Sequence, residues 1–148
     1  MSITVIMLIL NVMVAHWISD FVLQTSWMAT SKSKNWFALL AHVATYTASM
    51  FVIQLILVVL FAIGLSLFTL SDADINRAPV YILGLNPNLL WLWVLINGAM
   101  HFLTDAITSR LTSKLWSKQD FHNFFVIIGL DQLIHYSCLF GTLVWLTQ

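Results

Sequence analysis

Apolar runs long enough to cross a bilayer recur along this chain. They cover residues 3–23, 36–70, about 89–108 and 121–146. An α-helix rises about 1.5 Å per residue, so about 20 apolar residues cross a hydrocarbon core about 30 Å thick. The second run exceeds one span but is too short for two with a turn, and no proline breaks it. It reads as one tilted helix over about 36–64 that continues into the interface. The fold class predicted is all-α: a polytopic membrane protein with four transmembrane helices in a single domain over residues 1–148. Composition agrees, since 60% of the residues are hydrophobic and 8% are charged, against about 25% charged in a soluble domain. The N-terminal run has no basic leader and no Ala-x-Ala cleavage site, so it reads as a span rather than a signal peptide. Zero net charge offers nucleic acid no electrostatic footing. Cys138 has no internal disulfide partner and reads as a packing thiol.

The connections set an orientation. Residues 24–35 carry Lys32 and Lys34, and residues 109–120 carry Arg110, Lys114 and Lys118. Residues 71–88 balance Arg77 with Asp72 and Asp74, and the two tails carry no charged side chain. The positive-inside rule places the first and third connections in the cytoplasm, with the middle loop and both termini outside. Trp27, Trp36, Trp91, Trp93, Trp116 and Trp145 fall near span ends, where interfacial belts form.

Two segments match each other. His16-Trp-Ile-Ser-Asp20 and His101-Phe-Leu-Thr-Asp105 both read His, aromatic, aliphatic, hydroxyl, Asp. Each closes an inbound span and precedes a basic connection. Each returning span then carries ionisable groups: His42 in one, Asp131 and His135 in the other. The chain reads as two similar helical hairpins, residues 1–64 and 88–148, joined by an outer loop over 71–88. The i, i+4 spacing puts His16 with Asp20, His101 with Asp105 and Asp131 with His135 on single helix faces. Gln24 extends the first stripe, and Tyr46 stands one turn from His42.

Ionisable groups inside a bilayer cost several kcal/mol unless paired or functional. Four imidazoles (His16, His42, His101, His135) and three carboxylates (Asp20, Asp105, Asp131) make suitable ligands for one or two divalent transition metals, zinc first and iron or manganese behind it. A carboxylate at i+4 also suits the role of orienting an imidazole. The bland alternative is that these groups lock helices together by hydrogen bonds, and that Asp20 and Asp105 pair with Lys32 or Arg110. His122 reads as an exposed interfacial histidine and Asp120 as a helix N-cap. Ser19 and Thr104 read as hydroxyls bonded to backbone rather than as nucleophiles. No HExxH, GxSxG or P-loop pattern is present.

The stretch from His16 through Asp20, Gln24 and Trp27 to Lys32, Lys34 and Leu-Leu-Ala-His42 resembles a bacterial and phage membrane family, domain of unknown function 3307. His101-xxx-Asp105 and Asp131-Gln132-xx-His135 resemble its second half. The resemblance implies a protein of the bacterial inner membrane. More distantly, the residue types look similar to the YdjM-type metal-dependent membrane hydrolases, which implies a hydrolase by analogy.

The leading expectation is a metal-dependent membrane hydrolase acting on a lipid or lipid-linked substrate near the cytoplasmic leaflet. The four histidines would serve as ligands. Asp20, Asp105 and Asp131 would serve as ligands or orienters, one of them as general base. The alternatives are a metal-ion or proton transporter or channel, which four spans would favour as a homo-oligomer, and a non-enzymatic accessory protein. The outer halves of the spans read as nearly free of polar groups, which favours a site open to one side.

Overall fold

The computed structural model describes residues 3–67 and 86–148. All regular structure among them is helical. Helix α1 spans Ile3–Trp17 and runs directly into a π-helical turn, Ile18–Val22. Short α2 is Ser26–Ser31, and the long helices are α3, Trp36–Leu67, α4, Pro87–Ser117, and α5, Phe121–Leu146. Most of the expected outer loop, residues 71–85, lies outside the described residues.

Three segments are long and apolar enough to cross a membrane: Trp36–Leu57, Asn88–Ser117 and Phe121–Leu146. The first of the four expected spans falls on the helical run from Ile3 to Val22, within which Ile9–Val22 is a shorter apolar stretch. Three helices among the described residues are thus long and apolar enough to span a membrane.

Helix starts follow side-chain chemistry. Asn86 Oδ1 accepts from the Asn88 and Leu89 amides ahead of Pro87, and Thr25 Oγ1 accepts from the Met28 amide. Asp120 caps α5 as expected, its Oδ1 accepting from Asn123 N at 3.3 Å. One boundary differs from expectation. Residues 109–117 belong to α4 and are not a loop. They are mostly polar residues, so hydropathy falls away there, but nothing in them breaks a helix. Lys114 in the last turn suits the helix dipole. The helix then stops in a Schellman turn. Gln119 takes φ 57°, Gln119 N donates to Trp116 O, and Asp120 N donates to Leu115 O. The expected first connection likewise contains α2 rather than loop alone.

The burial pattern is that of a bilayer bundle. Along α4, Leu90, Trp93, Val94, Asn97, His101, Thr104, Asp105 and Thr108 form one buried stripe at helical spacing. Trp91, Leu95, Leu103 and Ile107 face outward, Ile107 being 63% exposed against 1% for His101. Aliphatic outside and ionisable inside suits lipid as solvent. Trp93 sits on the inner stripe, so it departs from the interfacial role expected. It is buried and donates from Nε1 to Leu139 O at 3.1 Å. Helices α3 and α4 approach closely at Gly98, where a Cβ would collide with Thr47 Oγ1. Away from the basic connections, Val12, Ala15, Tyr46, Met50, Leu90, Trp93, Val94, Leu139 and Leu143 form an apolar core. This half is not as apolar as the sequence suggested, because Gln54 and Asn97 are also buried there.

Candidate functional site

The two His/Asp pairs meet across the bundle axis, and the returning helices bring His42, Asp131 and His135 to them. Helix lengths explain the shared level. His101 lies 16 residues before the end of α4 and His135 lies 14 after the start of α5, about 24 and 21 Å along a hairpin with a tight turn. His42 is only six residues into α3, so the α4–α5 hairpin projects beyond the start of α3.

Six of the seven expected residues are almost fully buried: His16, Asp20, His42, His101, Asp105 and His135. Asp131 is half-buried at the edge. The Nε2 atoms converge on carboxylate oxygens. His42 Nε2 is 3.2 Å from both Asp20 Oδ1 and Asp105 Oδ2. His101 Nε2 is 3.4 Å from Asp20 Oδ1 and 3.0 Å from His42 Nε2. His135 Nε2 is 3.4 Å from Asp105 Oδ1 and 3.5 Å from Asp131 Oδ2, and His16 Nε2 is 3.7 Å from Asp20 Oδ2. Three triplets hold donor atoms within 4.8 Å of one another: His16–Asp20–His101, His42–His101–Asp105 and Asp20–Asp131–His135.

The helical geometry accounts for Asp20. It sits in the π turn, where Leu23 N bonds back five residues to Ile18 O. Such turns widen a helix locally and re-aim its side chains. Ser19, in the same turn, has a buried hydroxyl with no partner among the described residues, contrary to the backbone bond expected for it. Thr104 does bond to backbone, at Met100 O. His122 is exposed, as expected.

Three further residues complete the site; the sequence places Tyr46 one turn from His42 and Gln132 beside Asp131 without giving either a role. Gln132 donates to Asp20 Oδ2 and Asp131 Oδ2 at 3.2 and 3.0 Å, and its Oε1 lies 3.2 Å from His16 Nε2. Tyr46 OH lies 3.2 Å from His16 Nδ1, and its ring stacks on His101 with centroids 4.0 Å apart. Lys32, carried past the end of α2, donates to Asp105 Oδ2 at 2.6 Å and lies 3.3 Å from His42 Nε2. The sequence raises Lys32 and Arg110 only as pairing partners. Lys32 takes that role, whereas Arg110 lies over the Trp36 ring, 4.2 Å from its centroid. Position 132 could have been singled out, since it flanks Asp131 and lies one turn from Tyr136, on the inner side of α5.

The donor set fits a divalent cation on two grounds. Ligands of a tetrahedral ion held at about 2.0–2.1 Å are about 3.3 Å apart, which is the range of the distances above. Three carboxylates also face one ammonium, so charge balance inside a bilayer calls for a bound cation or for protons on the imidazoles. His42 and His101 have no hydrogen-bond partner at Nδ1 among the described residues. Stacking orients His101 instead, between Tyr46 and His135.

On the side of the basic connections the cluster borders a cavity of about 330 Å³. Asp20, Asp105, Asp131 and Gln132 form its floor, and α2 and the α4 extension form its walls.

A family model described as protein of unknown function (DUF3307) matches residues 7–148. The chain belongs to this family. DUF3307 membership accounts for nearly the whole chain and names no activity. Neither curated proteins nor solved structures gave a match, so nothing in the comparisons extends the DUF3307 chain's likeness to the metal-dependent hydrolases.

Proposed function

We propose that this DUF3307 chain is a metal-dependent membrane hydrolase, with one or two divalent ions held among His16, His42, His101, His135, Asp20 and Asp105. The observation that carries the reading is the convergence of four imidazole nitrogens on buried carboxylates at ligand-to-ligand spacing. Nitrogen and carboxylate donors without thiolate suit zinc, then iron or manganese. Such an ion supplies Lewis acidity and acidifies water. Asp131 is the carboxylate placed to act as general base, because it faces both His135 and the cavity. Gln132 and Tyr46 hold His16 in orientation. The apolar core on the far side supports access from the cavity side alone.

In the same reading the chain has four spans arranged as two hairpins, with the basic connections in the cytoplasm, both termini outside, and the bacterial inner membrane as its compartment. The substrate is then a lipid or lipid-linked molecule reached from the cytoplasmic leaflet. A second reading, a metal-ion or proton transporter working as a homo-oligomer, draws on Gln54 and Asn97. Each lies beyond the cluster and has a buried amide atom without a partner among the described residues, as a wet path would require.

Elemental analysis of detergent-purified protein tests the metal. One or two ions per wild-type chain are expected, and none in a His16→Ala, His101→Ala double variant that still folds. A folded wild type that takes up no ion from zinc, iron or manganese overturns the reading. Ion flux through reconstituted vesicles would favour the transporter.

A further inference from the structure

The cavity carries chemistry that a general hydrolase does not need. Lys32 Nζ, the cation that reaches the cluster among the described residues, sits on its wall. Ser33, Ser109 and Ser113 line the same space, as does Thr112, whose hydroxyl donates to Thr108 O. Ser109 Oγ lines the cavity and is buried with no partner among the described residues, so a hydroxyl donor is held there unspent. Beyond them lies an apolar rim of Phe21, Trp116, Phe124 and Ile128.

We propose that this cavity is a phosphate subsite and that the substrate is a membrane-anchored phosphate ester. Its phosphate would lie between Lys32, Ser109 and the ion-loaded cluster, and its hydrocarbon would pass over Trp116 and Phe124 into the bilayer. The inference rests on the metal reading above.

An ammonium and several hydroxyl donors match the acceptor-only oxygens of a phosphate. A neutral acyl ester has no use for the ammonium. The size agrees, since 330 Å³ lies at the small end of the range of about 300–1,000 Å³ for ligand pockets. It holds a head group and leaves a long chain outside. Charge sets the order of binding. Without an ion, the three carboxylates at the cavity floor repel phosphate, and each divalent ion bound among them offsets two negative charges. An ion also competes with Lys32 for Asp105 and frees its ammonium for the phosphate. Phosphate binding therefore follows metal loading.

The test is calorimetric titration of the full-length, detergent-purified chain, zinc-loaded and cleared of excess ion. The probes are inorganic phosphate and decyl phosphate, with decanol as the control for the chain alone. Both phosphates are expected to bind only with zinc present, decyl phosphate the more tightly. Lys32→Met should weaken both at least about tenfold, as loss of a hydrogen bond to a charged group implies. Zinc content should hold and Lys32→Arg should restore most of the loss. Should Lys32→Met disturb folding or zinc uptake, Ser109→Ala serves instead, with a several-fold weakening expected. Zinc-loaded protein that binds neither phosphate, or binds them regardless of Lys32 and Ser109, overturns the subsite and leaves the metal centre standing. Equal affinity for the two phosphates, or decanol binding as well as decyl phosphate, overturns the membrane-anchored substrate. A folded wild type that takes up no zinc overturns both.

Discussion

Asp105 and Asp131 are alike in chemistry and unlike in company. Asp105 is buried, accepts from Lys32 and lies against His42 and His135. Asp131 accepts from Thr108 Oγ1 at 2.5 Å and from Gln132, and its side chain keeps 15% of its surface exposed. An amide at 131 can still accept from Thr108, so Asp131→Asn is expected to fold as the wild type does. Its activity should fall by about 10²- to 10⁴-fold, the usual contribution of a general base, while its metal content holds. Asp105→Asn removes a charge that balances Lys32. It should lose metal and also lose stability, seen as a lower thermal unfolding temperature, by less than the about 3–5 kcal/mol of breaking a fully buried pair, because Lys32 keeps some solvent contact. Metal content beside a melting curve separates the two; equal melting losses would mean that both act only as helix locks. The histidines and aspartates were legible in the sequence because ionisable i, i+4 pairs inside apolar runs are too costly to stand without partners. The roles of Lys32, Gln132 and Tyr46 were not, since they depend on which helix faces each side chain, and linear spacing carries no such information.

At the scale of the element, hydropathy located the long helices well and their ends poorly. It reports where lipid is, whereas a helix ends where its hydrogen bonds find other partners. Helix α4 therefore runs past Thr108 to Ser117 and stops only at the αL turn of Gln119. The helical start of the connection after the first apolar helix escaped for the same reason. The π turn escaped because its widened register leaves the i, i+4 pattern of His16 and Asp20 intact. The α3–α4 contact offers a direct check of packing. Gly98→Ala places a methyl against Thr47 Oγ1 and is expected to cost about 1–3 kcal/mol, as overpacking does. Thr47→Ala in the same chain removes the obstacle and should recover most of that loss. Unfolding of the two single variants and the double in detergent measures the coupling, and strict additivity would show that the helices do not meet there.

For the whole molecule, the cavity and the basic connections lie at one end of the bundle, so one orientation decides what the site can reach. With the proposed topology, a cysteine introduced near Asp74 should react with an impermeant maleimide added to intact cells, and one near Lys34 should react only after lysis. The reverse pattern would turn the cavity to the outer leaflet and remove the cytoplasmic substrate. The pairing across the bundle also has a consequence for synthesis. Lys32 finds Asp105 across 73 positions of chain, and Asp20 finds His101 across 81. When residues 1–64 first leave the ribosome, His16, Asp20 and His42 enter the bilayer ahead of most of the groups that will surround them. The early half of the chain is therefore expected to insert less stably on its own than together with the later half.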